Sequence, residues 1–76
     1  MMFNLARNFL LLPFTCRIDV LKSLSLLDND EVFVVNNGTH SKAAEMYKAA
    51  FRRAKEKNQI AALEAAVNSL SKSKYA

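Results

Sequence analysis

Residues 41–70 read SKAAEMYKAAFRRAKEKNQIAALEAAVNSL, and the spacing of their apolar side chains decides the fold class. Ala44, Tyr47, Phe51 and Ala54 step 3, 4, 3, and Ile60, Leu63, Val67 and Leu70 repeat the same steps. That period matches a helical turn, so each set forms one apolar stripe along a helix lying on a core. Thr39 or Ser41 is placed to cap the first of these helices, which runs to about Lys57. Asn58 makes the break. The many alanines of the second favour helix and let neighbours pack closely.

Upstream, residues 32–38 read VFVVNNG. Val-Phe-Val-Val has strong β preference and Asn-Asn-Gly is a turn signal. A strand needs a partner, however, and the chain offers no second candidate. The stretch therefore reads as an apolar loop or short helical turn tucked against the core, with Phe33 at least partly buried.

The first part of the chain reads as two more helices. One starts at Asn4 as N-cap and runs to about Leu12, with Leu5, Phe9 and Leu12 on one face. Pro13 stops it, because the residue before a proline is biased away from helical geometry. Thr15 is placed to cap the next, which carries Ile18, Leu21 and Leu24 inward and Asp19 in its first turn. The expectation is an all-α, compact bundle of four short helices, or five if residues 31–36 coil.

Size and composition agree with one domain over residues 1–76. Half of the 76 residues are hydrophobic (51%) and 24% are charged, ordinary usage for a folded domain rather than a disordered one. A single glycine and a single proline leave too few turn residues for an all-β fold. Cys16 is the only cysteine, so no internal disulfide can form, and a reducing, cytoplasmic location is expected. The opening MMFNLARNFLLLPFTCR carries arginines and no acid, in the manner of a targeting peptide. Its apolar run from Phe9 to Leu12 is too short for a signal core, and far below the about 20 residues of a spanning helix. An integral first helix is expected.

No catalytic constellation is present. His40, close to Gly38, reads as a solvated turn residue, and Cys16 as a small hydrophobe on a core face. Nucleophilic catalysis by this one pair would still need an orienting third group. Structural zinc wants about four Cys or His ligands, which the chain lacks. Asp28, Asp30 and Glu31 look like part of a calcium loop, without its glycine or distal glutamate. No enzyme activity, metal or cofactor is expected.

Charge is what remains. Residues 1–31 set Arg7, Arg17 and Lys22 against Asp19, Asp28, Asp30 and Glu31, a net −1. Residues 42–76 set eight Lys or Arg against three Glu, a net +5, so the basic excess belongs to the second half. Lys48, Arg52 and Lys55 share one helix face by i, i+4, i+7 spacing, with Arg53 and Lys57 on its flank. The acidic cluster is Asp28, Asp30 and Glu31. Such polarity suggests an electrostatic partner.

Several segments in this order resemble the small helical effector-associated and death-like domains of bacterial conflict systems. A short first helix leads into Leu12-Pro13-Phe14, then Arg17-Ile18, Leu24-Ser25-Leu26-Leu27 and an acidic loop. Later come Phe51-Arg52-Arg53-Ala54-Lys55-Glu56-Lys57, Leu63 and Ala66-Val67. Ser25 stands where such sequences often carry Gly, and no Trp follows Leu63. Those modules occur fused to, or beside, proteases, NTPases and TIR-type effectors. The resemblance implies an adaptor that binds itself or a cognate domain on an effector, and the charge division supplies the expected contact, Asp28, Asp30 and Glu31 meeting Lys48, Arg52, Arg53, Lys55 and Lys57 of a neighbour. The alternative is a basic nucleic-acid-binding module using the same cations on phosphates, with Tyr47 or Tyr75 stacking. Against it, the stripe places Tyr47 and Phe51 in the core, and Glu45 and Glu56 dilute the basic face. No membrane partner is expected.

Overall fold

The computed structural model describes residues 2–73. Five helices follow one another: α1 (Met2–Leu10), α2 (Phe14–Ser23), α3 (Asn29–Asn37), α4 (His40–Glu56) and α5 (Ile60–Ser73). No strand occurs among the described residues. α5 packs on α1, α2 and α4, and α3 packs on α4. The Cα radius of gyration is 11.5 Å, close to the about 11 Å expected of a compact chain this long.

Phe9 is the hub of the core. It is 1% exposed, and its ring meets Tyr47 and Phe51 edge-on, each at 5.2 Å between centroids. Such T-shaped contacts set the positive edge of one ring on the negative face of another. Leu21, Leu26, Leu63 and Val67 fill the other side and are fully buried.

α1 begins earlier than the Asn4 cap implied and ends earlier too. Pro13 has φ −57° and ψ 152° and itself occupies the N-cap of α2, which has no side-chain cap, so Thr15 lies inside that helix. The chain tightens before the proline, Leu12 N–H bonding to Phe9 O. This turns Leu12 inward and leaves Leu10 and Leu11 on the surface.

Residues 29–37 form a regular helix rather than a loop. Asp28 Oδ1 accepts from Glu31 N–H at 2.8 Å, and Glu31 Oε1 accepts from Asp28 N–H at 3.0 Å. This reciprocal capping box satisfies two otherwise unpaired donors and starts the helix. The β preference of the valines is worth only tenths of a kcal/mol each against it. The register then follows: Val35 faces the core, and Phe33 lies on the opposite face, 66% exposed. The expected burial of Phe33 is corrected by that geometry.

Thr39 caps α4, its hydroxyl accepting from Lys42 N–H. His40 is exposed, as expected of a solvated residue, but it is the first residue of α4 rather than part of a turn. The buried stripe of α4 runs through Tyr47, Ala50 and Ala54. Ala44 is exposed, contrary to the stripe read from the sequence, and Phe51 is half-buried on the edge facing α1. Two helices end alike. Ser25 (φ 57°) and Asn58 (φ 60°) adopt left-handed geometry. Leu26 N–H bonds back to Leu21 O, and Gln59 N–H to Ala54 O. Both are Schellman caps.

Candidate functional site

Seven of the eight charged residues singled out above divide into two groups that do different things. Arg53 Nη1 and Nη2 donate to Glu31 Oε1 and Oε2 at 2.7 and 2.6 Å, and Nη1 also donates to Leu26 O at 3.0 Å. Lys57 Nζ donates to Ser25 O at 3.0 Å. These contacts clasp the α2–α3 connection onto α4. The Arg53 hydrogen bonds, opposed by partial burial, hold the Glu31 carboxyl below its ordinary range, and the same pairing raises Arg53. Asp28 belongs here through its cap on α3. The acidic and basic clusters are therefore not separate surfaces throughout: Glu31 and Arg53 engage each other within one chain.

Lys48, Arg52 and Lys55 form the second group. All three are exposed, and they line one edge of an open groove of about 540 Å³ between α1 and α4. Its floor is apolar: Ala6, Phe9 and Leu10 from α1, with Ala44, Tyr47 and Phe51 from α4. Phe51 reaches α1 and Arg53 reaches α3. Two residues apart, they project about 200° apart around α4, so the groove and the clasp occupy different flanks of that helix.

Asp30 remains exposed in the first turn of α3, one turn before exposed Phe33. Leu10, Phe33 and Phe51 were not among the residues expected to function. For Leu10 the signal was present in FLLLPF, residues 9–14, which holds more apolar side chains than one short helix face can bury. Cys16 is half-buried against the core. Tyr75 lies outside the described residues. Among those described, no helix is long and apolar enough to cross a membrane, and no three His, Cys, Asp or Glu side chains gather as a ligand set. No family model, curated protein or solved structure matches the chain.

Proposed function

We propose that the chain is a non-catalytic adaptor that binds protein through the α1–α4 groove, its partner being a like domain, either a second copy or one carried by an effector. One observation carries this reading: two surfaces of the same molecule are complementary. The groove offers an apolar, aromatic floor with three cations on its edge. The outer face of α3 offers an aromatic ring, Phe33, with Asp30 one turn before it. α3 and the groove lie on different flanks of α4, so Phe33 points away from its own groove and meets only another chain's. A contact of that kind is heterologous and builds rings or open filaments. The resemblance to effector-associated domains supports a place in bacterial conflict systems, and the single cysteine suits a reducing cytosol.

Sedimentation velocity tests the reading with two variants. One removes the α3 face (Asp30→Lys with Phe33→Ser), and the other reverses the groove edge (Lys48→Glu with Arg52→Glu). The wild type should associate as concentration rises, and each variant alone should stay monomeric. An equal mixture of the two should form pairs and stop there, because each pair retains one intact groove and one intact α3 face. A wild-type monomer that binds duplex DNA with steep loss in salt supports the nucleic-acid module instead.

A further inference from the structure

Among the described residues, three of the four large apolar side chains most open to water stand together at the α1–α2 corner: Leu10 (55% exposed), Leu11 (74%) and Phe14 (40%). Leu10 ends α1, Phe14 begins α2, and Leu11 lies in the turn between them. Leu12 turns into the core just before Pro13, so its neighbours are left on the outside of the bend. Single apolar side chains on a surface are ordinary, whereas a cluster of them marks a contact.

Cations ring this corner. Arg7 is exposed and lies one turn before Leu11, whose N–H bonds to its carbonyl, so the two share one face of α1. On the α2 side the Arg17 guanidinium lies 5.8 Å from the Phe14 ring centroid. Leu10 stands between two hollows. One is the α1–α4 groove, with Lys48, Arg52 and Lys55 on its edge; the other is a cavity of about 470 Å³ that Leu10 lines together with Phe14 and Arg17. No Asp or Glu lines either hollow. The first acid of the chain is Asp19, five residues after Phe14 and so about 140° round α2 from it.

An apolar tip within a ring of cations suits a surface that is anionic on top and apolar just beneath. A bilayer containing anionic lipid has that layering: apolar side chains enter the boundary between headgroups and acyl chains, while Lys and Arg meet the negative headgroups. A protein partner would need a pocket matched to a projecting corner with acids placed round it, and a bilayer needs no matched shape. We propose that the α1–α2 corner docks the chain on an anionic lipid surface, with Leu10, Leu11 and Phe14 in the boundary and Arg7, Arg17 and the groove-edge cations against the headgroups. This departs from the expectation of no membrane partner. No described helix is long and apolar enough to cross a membrane, but lying on one requires no spanning segment. The proposal does not rest on the adaptor reading, whose α3 face takes no part in it.

The chain contains no tryptophan, so Leu11→Trp puts a single reporter at the corner and Phe33→Trp a single reporter on the outer face of α3. Each is titrated, at concentrations where the chain is monomeric, with vesicles of phosphatidylcholine alone or of equal parts phosphatidylcholine and phosphatidylserine. On the mixed vesicles the Leu11→Trp emission should move to the blue and be quenched by brominated acyl chains, while that of Phe33→Trp stays unchanged. Co-sedimentation of the wild type should weaken by about tenfold or more on phosphatidylcholine alone, and should weaken as salt rises. Leu11→Ser should lose roughly tenfold in affinity, one apolar side chain returned to water, and melt close to the parent because Leu11 is already exposed. Arg7→Glu should weaken binding by roughly tenfold, while Lys22→Glu, the same charge change on the side of the Arg53 clasp, should leave it near the wild-type value. The proposal is overturned if the wild type does not sediment with the mixed vesicles, if Leu11→Ser binds as the parent does, or if Phe33→Trp responds as strongly as Leu11→Trp. It is equally overturned if Lys22→Glu costs as much as Arg7→Glu, since adsorption by net charge would then account for the binding.

Discussion

Arg53 and Glu31 lie 22 residues apart in the chain and face each other through two parallel hydrogen bonds of 2.7 and 2.6 Å. Both partners are tied down a second time, Arg53 by the Leu26 carbonyl and Glu31 by the Asp28 N–H. The planar guanidinium fork matches a carboxylate, and a lysine at position 53 would not replace it.

Glu31→Gln should cost about 1 kcal/mol in urea unfolding at neutral pH, a modest figure because the Arg53 side chain is 37% exposed and solvent screens the pair. Arg53→Met should cost more, roughly 2 kcal/mol, since it also leaves the buried Leu26 carbonyl without a donor. The pH profile has a definite sign. Glu31 sits below its ordinary 4.5 in the folded state, so its contribution is complete above that value and is lost as pH falls through the folded one. The wild-type advantage over Glu31→Gln should therefore vanish in acid. An advantage that persists there would show that the clasp acts through packing.

Ser25 and Asn58 hold left-handed backbone with side chains that do not favour it equally. Ser25→Gly should stabilise the fold by about 1 kcal/mol in thermal or chemical denaturation. Asn58→Gly should gain less, because asparagine tolerates this region better. The order of the two gains is the check.

Gly38 has φ −93°, which any residue can adopt. Its requirement is room: a Cβ there would lie 2.6 Å from the Val34 carbonyl oxygen. Gly38→Ala should cost roughly 1–3 kcal/mol, the usual range for forced overpacking. Amide exchange should rise in the last turn of α3 ahead of the rest.

Phe9→Ala should cost about 3–5 kcal/mol, which for a domain of this size approaches the whole folding free energy. Phe51→Ala should cost clearly less, since the ring is half-buried on the edge of the groove. Phe33→Ser should change stability by no more than about 0.5 kcal/mol. Equilibrium unfolding of the three variants ranks them, and a large loss for Phe33→Ser would contradict the register of α3.

Residues whose neighbours lie along the same helix were readable before any coordinates. Leu63 and Val67 follow from their spacing, and the turns at Pro13 and Asn58 from backbone chemistry. Phe33 was not readable in this way. Its exposure depends on the Asp28–Glu31 capping box and on Arg53, and the guanidinium arrives from another helix. The charged faces show the same division. Spacing alone separated Lys48, Arg52 and Lys55 from Arg53 and Lys57 correctly. That Glu31 would be the counter-ion of Arg53 depends on how α3 lies against α4, which no local pattern encodes.

α5 packs on α1, α2 and α4, and its Leu63 and Val67 are fully enclosed. Of the five helices, this one leaves the ribosome after the other four. Until it does, α1 has only its contact with α4, through Phe9, and the inward face of α2 lacks the helix it packs on, so the nascent chain exposes both while α5 is still being made. Premature termination anywhere before Leu63 would release a fragment with an open, sticky interior rather than a smaller working domain. The five-helix core closes only once α5 has packed on α1 and α2.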